Sequence, residues 1–253
     1  MVTRRKFIEI AGAAAAAGLA GSVSNIEARS QYRGDGRLTA VPRRNVKTTA
    51  SGRSPLGLGA GRDGILQLPA ALPSGPMPLL VLLHGAGGSA ERQLARFGSI
   101  PGDCGVAVLA VDSRGSTWDV VQGVGFGPDV EFIDRALQKV FSIVSIDPRR
   151  LAIGGFSDGA SYAVSLGLIN GDLFPKIAAL SVGFLVPARA AGKPRVFMSH
   201  GTSDDILPIG QCGRVVEAEL RKRGHDVTFR EFAGRHEVPP AIATEAFKWI
   251  AAT

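Results

Sequence analysis

Gly155-Phe156-Ser157-Asp158-Gly159 places a serine between two glycines, each two residues away. An apolar run, Leu151 to Ile153, leads into it and Ala160 to Leu168 follows with a helical pattern. That is a strand, a tight turn and a helix. A serine at such a turn sits in a strained backbone conformation, and only small residues two positions away let strand and helix pass closely. Its exposed hydroxyl can act as a nucleophile if a base removes the proton.

The chain has four histidines. His225 follows a predicted helix and precedes a predicted strand, at the edge of a parallel sheet opposite Ser157. His84 and His200 end strands on the same edge as Ser157, but each precedes a glycine and reads as shaping a turn. His236, in Gly234-Arg-His-Glu-Val-Pro239 after the last predicted strand, is the candidate base. Asp204 lies just past a strand in His200-Gly-Thr-Ser-Asp-Asp-Ile-Leu-Pro208, where a buried carboxylate would fix the histidine tautomer and stabilise its cation. The adjacent Asp205 leaves the identity of the acid open. Acyl transfer also needs oxyanion donors. The backbone N–H of Asp158, directly after the serine, is one candidate, and that of Ala86 in His84-Gly-Ala-Gly-Gly88 is the other. The Asp158 side chain is expected to be exposed and uninvolved.

These residues need a scaffold that brings them to one edge. Gly64–Pro69 reads as an early edge strand closed by proline. Pro78–Leu83 and Gly105–Val111 are continuous apolar runs, the mark of strands buried on both faces. Lys176–Val182, Pro194–Ser199 and Val227–Phe232 are further strands. Between them fall helical stretches at Ala90–Phe97, from Pro128 with Val130, Ile133, Leu137 and Phe141 on one face, at Val215–Arg223 and at Pro240–Ile250. Pro128, Asp129 and Glu131 suit a helix start. Alternation of this kind predicts an α/β fold with a mostly parallel central sheet covered by helices on both faces. Sites in such sheets form outside the carboxyl ends of the strands.

The 253-residue chain carries a net charge of +7. Its first 62 residues hold eleven Lys/Arg against three Asp/Glu, so the basic character belongs to the N-terminal extension and gives no argument for nucleic-acid binding. Residues 1–28 read as an export signal: Arg4-Arg5-Lys6-Phe7-Ile8, then an uncharged stretch rich in Ala and Gly. The paired arginines are of the twin-arginine type, implying the twin-arginine export machinery as a partner, a periplasmic or secreted destination and no stable membrane anchor after signal removal. Residues 29–57 lack an apolar period and read as a flexible linker, leaving 58–253 as the folded domain. Cys104 and Cys212 read as unpaired structural cysteines, and neither has metal-site spacing, so no metal or cofactor is expected.

Taken together, His84–Gly88, Gly155–Gly159, His200-Gly201 with Asp204 and Leu207-Pro208, and His236 with Pro239 resemble the α/β-hydrolase superfamily, in its phospholipase/carboxylesterase branch near the secreted polyhydroxybutyrate-depolymerase-like and feruloyl-esterase-like proteins. The resemblance runs from about residue 60 to the end. It implies Ser157 as nucleophile, Asp204 as acid, His236 as base, Ala86 and Asp158 as oxyanion donors, and a serine carboxylesterase working through an acyl-enzyme. Lids in this fold usually follow the strand after the nucleophile helix. Here only residues 183–193 join Val182 to Pro194, so no cap domain and an open site are expected. Trp118, Phe184, Leu207 and Val238 flank the loops of that edge and are candidate substrate-lining residues. Alternatives are a depolymerase or deacylase acting on a polyester or esterified polysaccharide, and a catalytically silent binding protein on a hydrolase scaffold.

Overall fold

A computed structural model describes residues 34–43, 46–48, 51–186 and 189–253. The export signal expected over 1–28 lies outside the described residues. In chain order the elements are β1 (Gly52–Pro55), β2 (Gly64–Leu68), β3 (Met77–Leu83), α1 (Ala90–Phe97), α2 (Ile100–Asp103), β4 (Ala107–Val111), α3 (Pro128–Ile143), β5 (Ile146–Phe156), α4 (Asp158–Ile169), β6 (Lys176–Leu180), β7 (Arg195–Gly201), α5 (Gly213–Lys222), β8 (Val227–Phe232) and α6 (Pro240–Ala251).

They form one sheet of eight strands in the order β1-β2-β4-β3-β5-β6-β7-β8. β1 and β2 run antiparallel to their neighbours, and the other pairings are parallel. The apolar runs of β3 and β4 are buried at every position because helices cover both faces. Alternate residues separate into two cores. Leu79, Val81, Leu83, Leu109, Leu151 and Ile153 pack with α3, α4 and α5, whereas Leu80, Leu82, Val108 and Ala152 pack with α1 and α6. Period-two alternation within a continuous apolar strand thus serves two cores at once. β6 and β7 are joined without a helix among the described residues, so no cap domain covers the sheet edge.

Two expectations at the N-terminal side need correction. β2 is not an edge strand, because β1 pairs outside it with the register Gly52↔Leu68 to Pro55↔Ile65. All four β1 residues are exposed, so no alternation marked Gly-Arg-Ser-Pro as a strand. The supposed linker is also held to the domain at residues 36–40. Leu38 and Ala40 are buried. The Asp134 carboxylate accepts from the amides of Thr39 (2.7 Å) and Ala40 (2.8 Å) and from the Thr39 hydroxyl (2.6 Å). Asn170, buried at the end of α4, accepts from the Leu38 amide (2.9 Å) and donates to the Gly36 carbonyl (2.8 Å). Polar side chains far along the chain satisfy this backbone, which is why no local apolar period betrayed it. Asn170→Ala should therefore cost about 2 kcal/mol, since it leaves a buried amide and a carbonyl without partners. Urea denaturation read as a lower midpoint at unchanged m-value checks this; an unchanged midpoint would show that the extension adds nothing to stability.

Candidate active site

Ser157 sits between β5 and α4 with φ 58° and ψ −122°, a left-handed conformation that non-glycine residues rarely adopt. The strain is held by neighbours. Its amide donates to the Leu180 carbonyl on β6 at 3.0 Å, while its carbonyl accepts from the Ala160 and Ser161 amides as α4 begins. The two glycines are required by contact. A Cβ on Gly155 would lie 2.5 Å from the Gly159 carbonyl carbon, and one on Gly159 would lie 2.5 Å from the His84 carbonyl oxygen and press on that of Leu83. Gly159→Ala must displace the backbone at the buried end of β3 and should cost at least about 3 kcal/mol. Thermal unfolding tests this, and a melting temperature within a degree or two of the parent would contradict the packing described.

The Ser157 hydroxyl lies 2.9 Å from His236 Nε2, and His236 Nδ1 lies 2.7 Å from Asp204 Oδ2. The sheet register explains the meeting. β5 and β7 end on the same edge, separated only by β6, and the 233–239 loop returns from β8 across the end of β7. A Cβ on Gly201 would collide with the carbonyls of Gly234 and Arg235, so glycine there lets this loop close. The Asp204 carboxylate is fully buried and well supplied with donors. Oδ1 accepts from the amides of Ile206 (3.0 Å) and Leu207 (2.8 Å), and His200 Nε2 lies 3.2 Å from Oδ2. Asp205 points away into an exposed pair with Arg235. The arrangement is chemically complete for proton removal: Asp204 holds Nδ1–H, leaving the Nε2 lone pair facing the hydroxyl.

The Gly85–Gly88 turn lies against the serine, since a Cβ on Gly85 would be 3.3 Å from Ser157 Cβ. His84 shapes this turn, as its position before a glycine suggests. Its buried ring is pushed toward the neutral form by desolvation; Nδ1–H donates to the Gly85 carbonyl (2.7 Å) and Nε2 accepts from the Ser113 amide (3.0 Å). The Gly88 amide closes the turn on the Gly85 carbonyl, and the Gly87 amide donates to the Ser116 carbonyl. Among the described residues the amides of Ala86 and Asp158 donate to no protein acceptor, which leaves both available to an oxyanion beside Ser157.

Other expectations change. The Asp158 side chain is half-buried, and its Oδ2 accepts from the Thr117 hydroxyl at 2.7 Å. Desolvation raises its pKa against the opposing effect of that hydrogen bond. Trp118 has no accessible surface and does not line a pocket: Nε1 donates to the His84 carbonyl at 2.8 Å and the ring stacks on Tyr162, 5.1 Å away. It supports the glycine turn from beneath. Val238 packs on the core under α1 and α6, whereas Leu207 is half-buried over Gly183 and Phe184 is half-buried next to it. His225 is buried away from this edge against the Pro194 carbonyl. Cys104 and Cys212 are both free thiols. Three contacts had no signal in the sequence. The Phe156 ring lies 4.7 Å from that of His236, Arg96 covers Phe156, and His200 reaches Asp204.

The strand order and the helices on both faces of the sheet are those of the α/β-hydrolase fold, which solved esterase structures share. More particularly, residues 130–253 match the phospholipase/carboxylesterase family. NocK of Nocardia uniformis subsp. tsuyamanensis, provisionally named an esterase, is 28% identical over 187 residues, which is 68% of this chain and 54% of NocK. The chain thus spans about half the length of that curated relative. Among solved structures, esterase PE8 superposes with a TM-score of 0.62 at 22% identity, covering 75% of this chain and 97% of its own. The carboxylesterase of Bacillus cereus gives 0.57 at 21% identity, covering 76% and 94%. These two likenesses concern the fold.

Proposed function

We propose that the protein is an exported serine carboxylesterase. The observation that carries the reading is the continuous hydrogen-bonded line from Ser157 Oγ through His236 to the buried Asp204, with two unpartnered amides beside the hydroxyl. In the first half-reaction Ser157 Oγ attacks the ester carbonyl as His236 Nε2 takes its proton. The amides of Ala86 and Asp158 bind the oxygen that becomes negative. Collapse of the tetrahedral intermediate breaks the bond to the alcohol oxygen, and His236 returns the proton to that leaving group. Water then enters, His236 removes its proton, and attack on the acyl-serine releases the acid and regenerates Ser157.

Among the described residues no cap domain encloses the site, so exposed or bulky esters can reach Ser157. NocK, PE8 and the Bacillus cereus protein carry esterase names, which supports the same reaction class. Export is proposed from Arg4-Arg5 and the uncharged stretch that follows. An ester panel graded by acyl length and by alcohol bulk, with covalent labelling of Ser157 by a fluorophosphonate, tests the reading. Turnover of short esters with Ser157 labelled is expected. Folded protein that neither labels nor turns over any member would instead be a binding protein on this scaffold, and faster release from a polymer than from short soluble esters would identify a depolymerase.

A further inference from the structure

Next to the base, across the Phe156 ring, lies a cation that no anion pairs with among the described residues. Arg96, in the last turn of α1, lays its guanidinium over the Phe156 ring, 4.3 Å from its centre, and that ring lies 4.7 Å from the ring of His236. Among the described residues Arg96 makes no hydrogen bond and no ion pair. Other arginines of the chain are paired. Arg53 pairs with Glu91, Arg235 with Asp205, and Arg214 with Glu231. A guanidinium whose flat face is occupied by an aromatic ring keeps its N–H edge free, the geometry that accepts a carboxylate or phosphate. Arg96 is exposed, and partial desolvation lowers its pKa.

Its position decides which part of a substrate it meets. His236 must hand its proton to the alcohol oxygen, so the leaving alcohol occupies the His236 side of the site. The Phe156 ring adjoins His236, and Arg96 adjoins Phe156. The other charge close to Ser157, the Asp158 carboxylate, is engaged by the Thr117 hydroxyl and follows the amide that faces the oxyanion. We propose that Arg96 is a specificity-determining residue that selects esters whose alcohol portion carries a negative charge. This inference rests on the esterase reading and adds a substrate class to it.

Matched aryl esters test it: the acetyl esters 4-acetoxybenzoate and 4-acetoxybenzamide, and, with the charge moved to the acyl side, the phenyl half-ester of adipic acid against its amide. For the parent protein kcat/KM should favour the anionic alcohol over its neutral amide about five- to tenfold, the range for one charge-assisted contact at a partly exposed site. Raising salt should shrink that ratio, and the adipate pair should show no such preference. Arg96→Gln should bring the ratio near one, and Arg96→Lys should restore part of it. Equal ratios in the parent and Arg96→Gln, including a parallel fall in both rates, would overturn the inference and make Arg96 a support for Phe156. So would an equal preference for the acyl-side anion, which would reflect only the general field. Turnover of the neutral esters, abolished by Ser157→Ala, keeps the esterase reading intact in either case. No turnover of any of the four would overturn both.

Discussion

Ser157→Ala is expected to lower kcat about a millionfold while leaving the melting temperature within a degree or two of the parent. The size follows from how the site is divided. Removing Oγ eliminates the acyl-enzyme route altogether, and what remains is stabilisation of an oxyanion by two amides during direct attack by water. The small effect on stability follows from the backbone. Alanine carries the same Cβ as serine, so the strain at φ 58° is unchanged, and the hydroxyl's side-chain partner is His236 Nε2. Kinetics on a short ester, paired with thermal unfolding followed by circular dichroism, measure both quantities. Activity within tenfold of the parent in folded protein would remove Ser157 from the chemistry.

How much of this could be read from the chain depended on whether the determining contact was local. Gly155 and Gly159 flank the serine at fixed spacing, so the turn and its strain were legible. The collisions that make glycine necessary there involve the carbonyls of Leu83 and His84, on another strand. The β3 and β4 runs announced buried strands, whereas β1 did not, because its four residues are exposed and owe their form to pairing with β2. Residues 36–40 looked like linker because Asp134 and Asn170, supplied by α3 and the end of α4, satisfy their backbone. Trp118 illustrates the opposite error. An aromatic residue in a glycine-rich loop near the site suggested a substrate wall, yet its indole N–H and stacking surface are both spent on the interior. Arg96 meets Phe156 across the fold and His200 meets Asp204 through the path of the loop between them, and composition at 96 or 200 carries no trace of either.

Asp204 and Asp205 stood as adjacent candidates in sequence, and their substitution by asparagine should separate them by about four orders of magnitude. In Asp204→Asn the new carboxamide can be oriented in two ways, and each fails. With its oxygen toward the amides of Ile206 and Leu207, its NH2 group faces His236 Nδ1 and His200 Nε2. Nδ1 must then become the acceptor, which puts the proton on Nε2, pointing at the serine it should deprotonate. The wrong tautomer of a catalytic histidine costs about 10⁴ in kcat. Turning the amide over gives His236 an acceptor but sets NH2 against two backbone donors, at roughly 1–3 kcal/mol for the groups left unpaired. Asp205→Asn breaks only an exposed pair with Arg235, whose median contribution is below about 1 kcal/mol, and should leave kcat/KM within about twofold of the parent. Steady-state kinetics on one ester with both variants decides the matter. If Asp205→Asn is the crippled enzyme, or if Asp204→Asn keeps more than about a tenth of the parent rate, the carboxylate that orients His236 lies elsewhere.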